Sequence, residues 1–401
     1  MSEKPDVRKN YKLNKALLKA AIIILKHPVL KITGGKMEHY TPKHEPFILI
    51  ANHSDPLDPG FEMIALNRYI RFVAADHLAK IKAAKWALVK LGGVIIKHRE
   101  KPSSVLTDEI LENLRAGISV GIHAEGGTSV NGETGFISEH TGQLVKDSGA
   151  ALITFRFTGG YLRSPRWANK GRHGPLYGQV VHEYSPEEIA AMSVSEVTET
   201  IRRDTFVNVY DEQRKIMGEY KGSNLAEFAE RILFMCPSCE TIGELHSKGA
   251  LLKCDKCGYT VKMETDAFWH DNGTGLVYDN ICDWDKWQMK KWKEKVLSTP
   301  QGEKIFGESG QIIYKVGEDD KKLISENAVF SIYTDSFRIT PEDGGEEIVI
   351  PLEEVKKAQI ALRDSLLIID NMNYYEIRCH RPRAAAKYVA AWRYLTGKAY
   401  L

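Results

Sequence analysis

With 401 residues and 43% hydrophobic content, the chain is long enough for two or three domains with proper cores, and its composition excludes a disordered or fibrous protein. A net charge of +2, from 55 basic and 53 acidic residues, gives no support to a general nucleic-acid or polyanion binder. The charge is uneven, because residues 1–45 hold ten Lys or Arg against four Asp or Glu.

The first predicted element is the segment "LNKALLKAAIIILKHPVLKI", which Lys19 and Lys26 interrupt, so it is not a transmembrane span. Wound as a helix, it gathers Lys12, Lys15, Lys19 and Lys26 within a narrow arc and leaves Leu, Ala and Ile on the rest. Such a helix suits the interface of an anionic membrane, or equally a terminal helix covering the protein's own core. No small-residue cleavage site follows it, so it does not read as a secretory signal.

From about residue 45 to 185 short apolar runs alternate with helical periods. "PFILIA" (46–51), "IRFVAA" (70–75), "GGVIIK" (92–97), "SVGIHA" (119–124) and "GAALITFRF" (149–157) predict buried strands. "GFEMIALNRY", "AKIKAAKWALVKL" and "SSVLTDEILENLRAG" between them predict helices, and residues 186–231 continue as polar helices from the capped start "SPEEIAAM". This alternation predicts a layered α/β domain with its chemistry at strand ends.

Three strand ends carry polar loops. The first, "NHSDPLD", places His53 and Asp58 five residues apart where strand gives way to helix. One reading makes Asp58 the helix N-cap with Pro59 at the first helical position, and His53 a loop residue. The other uses Pro56 and Pro59 to turn the carboxylate back onto the imidazole, fixing one ring nitrogen as donor and leaving the other to accept a proton. The second strand end carries Lys97, His98 and Arg99. The third is the loop "GIHAEGGTSVNGETG", whose glycines let backbone N–H groups approach an anion.

In this order the three loops resemble the motifs of the glycerophospholipid (lysophosphatidate-type) acyltransferase family. "NHSDPLD" (52–58) is similar to its Asn-His-x4-Asp motif, "GGVIIKHR" (92–99) to its second and "HAEGGTS" (123–129) to its third. "GAALITFRFTGGY" (149–161) stands at the place of the fourth, and "YLRSPRWANKGRHG" (161–174) resembles a bacterial subgroup. The resemblance covers roughly residues 40–185. It implies transfer of an acyl group from a thioester, on CoA or acyl carrier protein, to a hydroxyl of a lysophospholipid such as 1-acylglycerol-3-phosphate. It implies His53 as general base and Asp58 as its orienter. It also implies that Arg99 and Lys97, with Asn52, Glu125, Gly126 and Gly127, position the acceptor. Transfer would be direct, with no acyl-enzyme intermediate. The chain departs from the pattern at Ala124 for the usual Pro, at Thr128 for the usual Arg and at His98 for a common acid. The lost guanidinium bears on the acceptor rather than on the reaction type. It also motivates the alternative of a catalytically weak lipid-binding or scaffolding protein on the same fold.

Four of the six cysteines form two Cys-x-x-Cys pairs, Cys236/Cys239 and Cys254/Cys257, while Cys282 and Cys379 stand apart. The spacing predicts a zinc ribbon with one structural Zn²⁺ and a reducing compartment. Trp269, Trp284, Trp287 and Trp292 crowd the next stretch, as core residues or as interfacial anchors. From about 303 short strands precede a closing helix, "PRAAAKYVAAWRYLTG", a pattern that resembles PH-like or GRAM-like domains.

The expected organisation is therefore a basic helical segment (1–40), a glycerolipid-acyltransferase-like α/β domain (41–231), a zinc ribbon (232–263), a Trp-rich linker or helix (264–302) and a small barrel-like β domain with a C-terminal helix (303–401). The expected location is cytoplasmic, peripheral to the inner face of the cell membrane. Nucleic acid is not an expected partner, since no basic cluster surrounds the ribbon.

Overall fold

The computed structural model describes residues 11–75, 93–97, 103–317, 320–342, 344–361 and 365–398. The predicted helix "AKIKAAKWALVKL" lies outside them. Two compact units divide the chain, Met1–Pro165 with Arg172–Lys221, and Arg166–Gly171 with Gly222–Leu401.

The first unit runs α1 (Tyr11–Thr33), β1 (Gly35–Met37), β2 (Phe47–Ala51), α2 (Asp58–Leu66), β3 (Arg71–Ala75), β4 (Ile95–Lys97), α3 (Ser103–Arg115), β5 (Val120–His123), α4 (Glu139–Ser148), β6 (Ala151–Thr158), α5 (Gly160–Arg163), β7 (Leu176–Tyr184), α6 (Pro186–Ala191), α7 (Val194–Thr205) and α8 (Val209–Ile216). Its seven strands form one mixed sheet in the order β1-β7-β6-β2-β5-β3-β4. The neighbours β6, β2, β5, β3 and β4 run parallel, and β7 is antiparallel to β6. Strand β2 is buried along its whole length because helices cover both faces. Its side chains alternate accordingly: Ile48 and Ile50 pack with Ile110, Val145 and Val197, whereas Phe47, Leu49 and Ala51 pack with Phe61, Ala65 and Leu66 of α2. Helices α6 and α7 each begin with a reciprocal capping box, Ser185 with Glu188 and Ser193 with Glu196. The layered α/β architecture expected from the sequence is therefore present.

The second unit holds two antiparallel sheets. The smaller contains β8 (Leu245–Lys248), β9 (Leu251–Cys254), β10 (Thr260–Met263) and β11 (Trp269–Asp271) in the order β11-β10-β9-β8. Residues before the ribbon cysteines already belong to this unit, because Ala226 N–H donates to Gly249 O and Phe228 N–H to Ser247 Oγ. Helix α9 (Ile281–Ser298) follows. The larger sheet has seven strands in the order β15-β14-β13-β12-β18-β17-β16. Their bounds are β12 (Lys304–Val316), β13 (Lys321–Tyr333), β14 (Ser336–Pro341), β15 (Ile348–Pro351), β16 (Lys357–Ala361), β17 (Ser365–Ile369) and β18 (Tyr374–Cys379), and helix α10 (Ala386–Thr396) closes the chain.

Three of the four tryptophans in residues 264–302 are core, and Trp287 packs partly buried against the core. Trp269, Trp284 and Trp292 are fully buried; the Trp284 indole N–H donates to Met235 O and that of Trp292 to Lys387 O. Among the described residues no helix is long and apolar enough to cross a membrane.

An ion cluster is built into the second unit. Glu308 of β12 accepts hydrogen bonds at 2.8 Å from both Arg383 Nη1 and Lys387 Nζ, and one at 3.1 Å from Tyr388 OH. Burial alone would raise the Glu308 carboxyl, but Lys387 and Arg383 together pull it down to about 2. Because the folded value lies below the unfolded one, the cluster's stabilisation is present above about pH 4.5 and is lost as pH falls toward 2. Replacing Glu308 with Gln strands two buried cations and is expected to cost about 3–5 kcal/mol at neutral pH. Urea melts of the full chain check this, and the gap between wild type and Glu308→Gln should close between pH 5 and 2.

Candidate functional site

Since β6, β2 and β5 are adjacent and parallel, their C-terminal loops emerge side by side at one edge of the sheet. Residues 52–58, 123–129 and 159–163 meet there. The junction is tied by Asn52, whose Oδ1 accepts from Phe157 N at 2.8 Å and whose Nδ2 donates to Phe157 O at 3.0 Å.

His53 Nδ1 lies 3.0 Å from Asp58 Oδ2. The same oxygen accepts the backbone N–H groups of Ser54 (2.7 Å) and Asp55 (2.9 Å), so the loop wraps around a fully buried carboxylate. The reading of Asp58 as helix N-cap is corrected: Leu57 takes the cap position without a side-chain bond, and Asp58 is already the first residue of α2. Its carboxylate faces back into the loop, where three donors outcompete the helix end. The imidazole retains 19% exposure, and among the described residues its Nε2 makes no hydrogen bond. With Nδ1–H directed at Asp58, Nε2 is left as the basic nitrogen.

Glu125 serves the backbone. It accepts His53 N–H at 2.8 Å on Oε1 and Gly135 N–H at 2.5 Å on Oε2, and Ser129 N–H donates to His53 O at 2.8 Å. Burial pushes the Glu125 carboxyl up, against the pull of these backbone donors. Gly126, at φ 75, occupies the left-handed region that lets the chain turn directly after Glu125, and Gly127 is half-buried in the same loop. Lys97 is exposed at the end of β4, three strand spacings from β2, roughly 14 Å away. It is not brought beside the dyad. Arg99 lies outside the described residues.

Two neighbours went unassigned in the sequence. His123, inside the third motif, stacks on the His53 ring with centroids 4.2 Å apart and 18° between planes, and lies in turn over Phe72. Gly121 makes room for that stack, since a Cβ there would stand 2.2 Å from the Phe72 ring. Glu62, one turn beyond Asp58 on α2, is 1% exposed; its Oε1 lies 3.4 Å from His123 Nε2, and among the described residues neither oxygen has a hydrogen-bond partner. Burial drives the Glu62 carboxyl well up and the His123 imidazole down, so both favour their neutral forms. The signal available in the sequence was the i, i+4 spacing of Asp58 and Glu62, which puts both on one helix face.

His53, Asp58 and His123 also bring ligand-type atoms within 4.8 Å of one another. Near-parallel stacked imidazoles point their in-plane lone pairs side by side rather than at a common centre, so this trio does not shape a metal site.

The four paired cysteines do. Their sulfurs all lie within 4.8 Å of one another, with Cys236–Cys257 at 3.6 Å and Cys239–Cys254 at 3.8 Å. A tetrahedron with metal–sulfur bonds of about 2.3 Å has edges of about 3.8 Å, so the donor set fits a structural metal ion. Both pairs use the same turn: Glu240 N–H donates to Cys236 O and Gly258 N–H to Cys254 O, each residue with positive φ.

Residues 35–158 match the family model described as Acyltransferase. Of the loops described above, residues 52–58 and 123–129 lie within that match and residues 159–163 follow directly after it. Among solved structures, the chain is similar to the 1-acyl-sn-glycerophosphate (LPA) acyltransferase PlsC from Thermotoga maritima, at 18% identity and TM-score 0.41, over 50% of this chain and 82% of that one. It is also similar to the N-terminal PH domain of human ARAP2, at 10% identity and TM-score 0.19 over 24% of this chain and 88% of that one. A further match is the Vps36 N-terminal PH domain, at 11% identity and TM-score 0.20 over 24% of this chain and 80% of that one. No curated protein matches the chain.

Proposed function

We propose that the protein moves a fatty acyl group from an acyl thioester, on CoA or acyl carrier protein, to a hydroxyl of a lysophospholipid such as 1-acylglycerol-3-phosphate. One observation carries this reading: a part-exposed imidazole held at 3.0 Å by a carboxylate that three donors immobilise, with the other ring nitrogen uncommitted. His53 Nε2 takes the acceptor hydroxyl's proton as its oxygen attacks the thioester carbonyl. The tetrahedral intermediate collapses, the carbon–sulfur bond breaks, and the imidazolium returns the proton to the departing thiolate. Asp58 keeps the ring in the tautomer this requires and balances its transient charge. Asn52, Glu125, Gly126 and Gly127 hold the loops in register, while Lys97 and Arg99 carry over from the second motif as charges that attract the acceptor's phosphate. An intact dyad favours catalysis over the scaffold reading.

Helix α1 supports a peripheral membrane location. Leu13, Leu17, Ile23, Ile24, Leu25 and Ile32 are exposed on it, and Lys12, Lys15 and Lys19 are exposed too. An uncovered apolar surface with adjacent cations suits an anionic bilayer interface. The cysteine cluster is read as a structural Zn²⁺ site, which supplies cross-linking of the ribbon and, with four protein ligands, no open position for chemistry.

His53→Ala should lower thiol release from acyl-CoA with lysophosphatidate by about 10²- to 10⁴-fold, and Asp58→Asn by a comparable factor through the wrong tautomer. Undiminished turnover in either variant would remove this mechanism, and no turnover by wild type on a broad acceptor panel would favour the scaffold. In flotation assays the protein should bind vesicles containing phosphatidylglycerol but not neutral ones, and Leu17→Glu/Ile24→Glu should abolish binding; equal binding of the variant would refute the location. Purified protein should contain one zinc per chain by elemental analysis. Cys254→Ser should lose the metal and lower the melting temperature, and metal-free wild type with unaltered stability would refute the assignment.

A further inference from the structure

On the loops around the dyad, Ser54 and Arg163 each hold buried polar atoms that have no hydrogen-bond partner among the described residues. Ser54 directly follows His53 and is 6% exposed, yet among the described residues its Oγ has no hydrogen-bond partner. Arg163 ends α5, the short helix that follows β6, and its Nε and Nη1 are buried without partners; it joins no ion pair among the described residues. A glycine brings the two segments together: a Cβ on Gly160 would stand 2.1 Å from Ser54 Oγ, so the backbone that opens α5 lies directly against that hydroxyl, one turn before Arg163. The guanidinium is also within electrostatic reach of Asp55, 4% exposed, whose carboxyl it draws down against the larger upward push of burial.

A guanidinium with two dehydrated, unsatisfied N–H groups is costly in a folded protein, and a lone buried hydroxyl adds to that cost. The arrangement becomes favourable when an oxyanion arrives, because a guanidinium fork and a hydroxyl donate to phosphate oxygens with the strength of charge-assisted bonds. We propose that Arg163 and Ser54 hold the phosphate monoester of the acyl acceptor and set its free hydroxyl beside His53 Nε2. This rests on the acyl-transfer reading, and it supplies on α5 the guanidinium that Thr128 does not supply in the third motif. The acceptor is favoured over the donor by covalent reach. In a glycerol phosphate the hydroxyl and phosphate are a few bonds apart, matching the step from His53 to its chain neighbour. In CoA and acyl carrier protein the whole pantetheine arm separates the nearest phosphate from the thioester.

The test uses the full chain with Arg163→Gln, Arg163→Lys and Ser54→Ala. For Arg163→Gln, KM for lysophosphatidate should rise about 10- to 100-fold while KM for acyl-CoA stays within about twofold; Arg163→Lys should retain part of the affinity and Ser54→Ala should show a smaller rise. Without any turnover, sn-glycerol 3-phosphate should raise the melting temperature of wild type and not of Arg163→Gln, whose ligand-free stability should equal or exceed that of wild type. An unchanged lysophosphatidate KM overturns the proposal, as does a rise confined to acyl-CoA. A less stable Arg163→Gln with unaltered kinetics makes Arg163 a mere counter-ion of Asp55 and also overturns it. Inorganic phosphate protecting as well as glycerol 3-phosphate, with lysophosphatidate KM unmoved, assigns the pocket to free phosphate instead. Should wild type transfer no acyl group yet bind glycerol 3-phosphate through Arg163, the acyl-transfer reading fails and the anion site stands; binding independent of Arg163 overturns the site.

Discussion

Asp58 Oδ2 is the point on which the first unit's chemistry turns. One oxygen collects the His53 ring and two consecutive backbone N–H groups, all from a loop of five residues. A carboxylate in a fully dehydrated position needs this many donors to remain there, and the loop needs the carboxylate to hold its turn. The start of α2 adds a favourable field, since Asp58 sits where the helix presents its unsatisfied N–H groups. His53 orientation, loop shape and helix start are thus one cooperative arrangement, and a change at any of them reaches the others.

Sheet order brings this arrangement to its neighbours. Because β2 lies between two strands parallel to it, segments distant in sequence open at the same edge: Glu125 reaches the His53 backbone, and Gly160 reaches Ser54. The close approaches are made at glycines. Gly121 admits the Phe72 ring that underlies the histidine stack, and Gly160 admits Ser54; a methyl group at either position would push a loop away from the dyad.

The strands and the cysteine site were legible because their signals are local. A central parallel strand buried on both faces reads as a plain apolar run, as in "FILIA", and a Cys-x-x-Cys knuckle carries its geometry in its spacing. The meeting of His53 and Asp58 was legible only as one of two readings, since an aspartate before proline is equally good chemistry for a cap. The choice was made by backbone donors of Ser54 and Asp55, which every residue possesses and no sequence advertises. Glu62 and Arg163 were out of reach for a different reason. Each looks like an ordinary surface charge, on α2 and on a short helix, and only tertiary packing against β5 and the His53 loop removes water from it. Trp284 and Trp292 show the converse, for their burial goes with their size and with indole N–H groups that found carbonyl partners.

The stack behind His53 constrains how charge is distributed once that ring accepts a proton. An imidazolium at His123, 4.2 Å away face to face, would oppose a second positive charge on His53. Burial works against that state from both sides, lowering His123 and raising Glu62, so it favours the neutral form of each group in the pair facing each other at 3.4 Å. Glu125, spent on backbone N–H groups, is likewise turned away from the ring nitrogens. The charge that forms on His53 is then met chiefly by Asp58, along the hydrogen bond that already orients the ring. A ring whose hydrogen-bonded partner is already in place needs little rearrangement as the proton moves, which is the condition under which a preorganised base works.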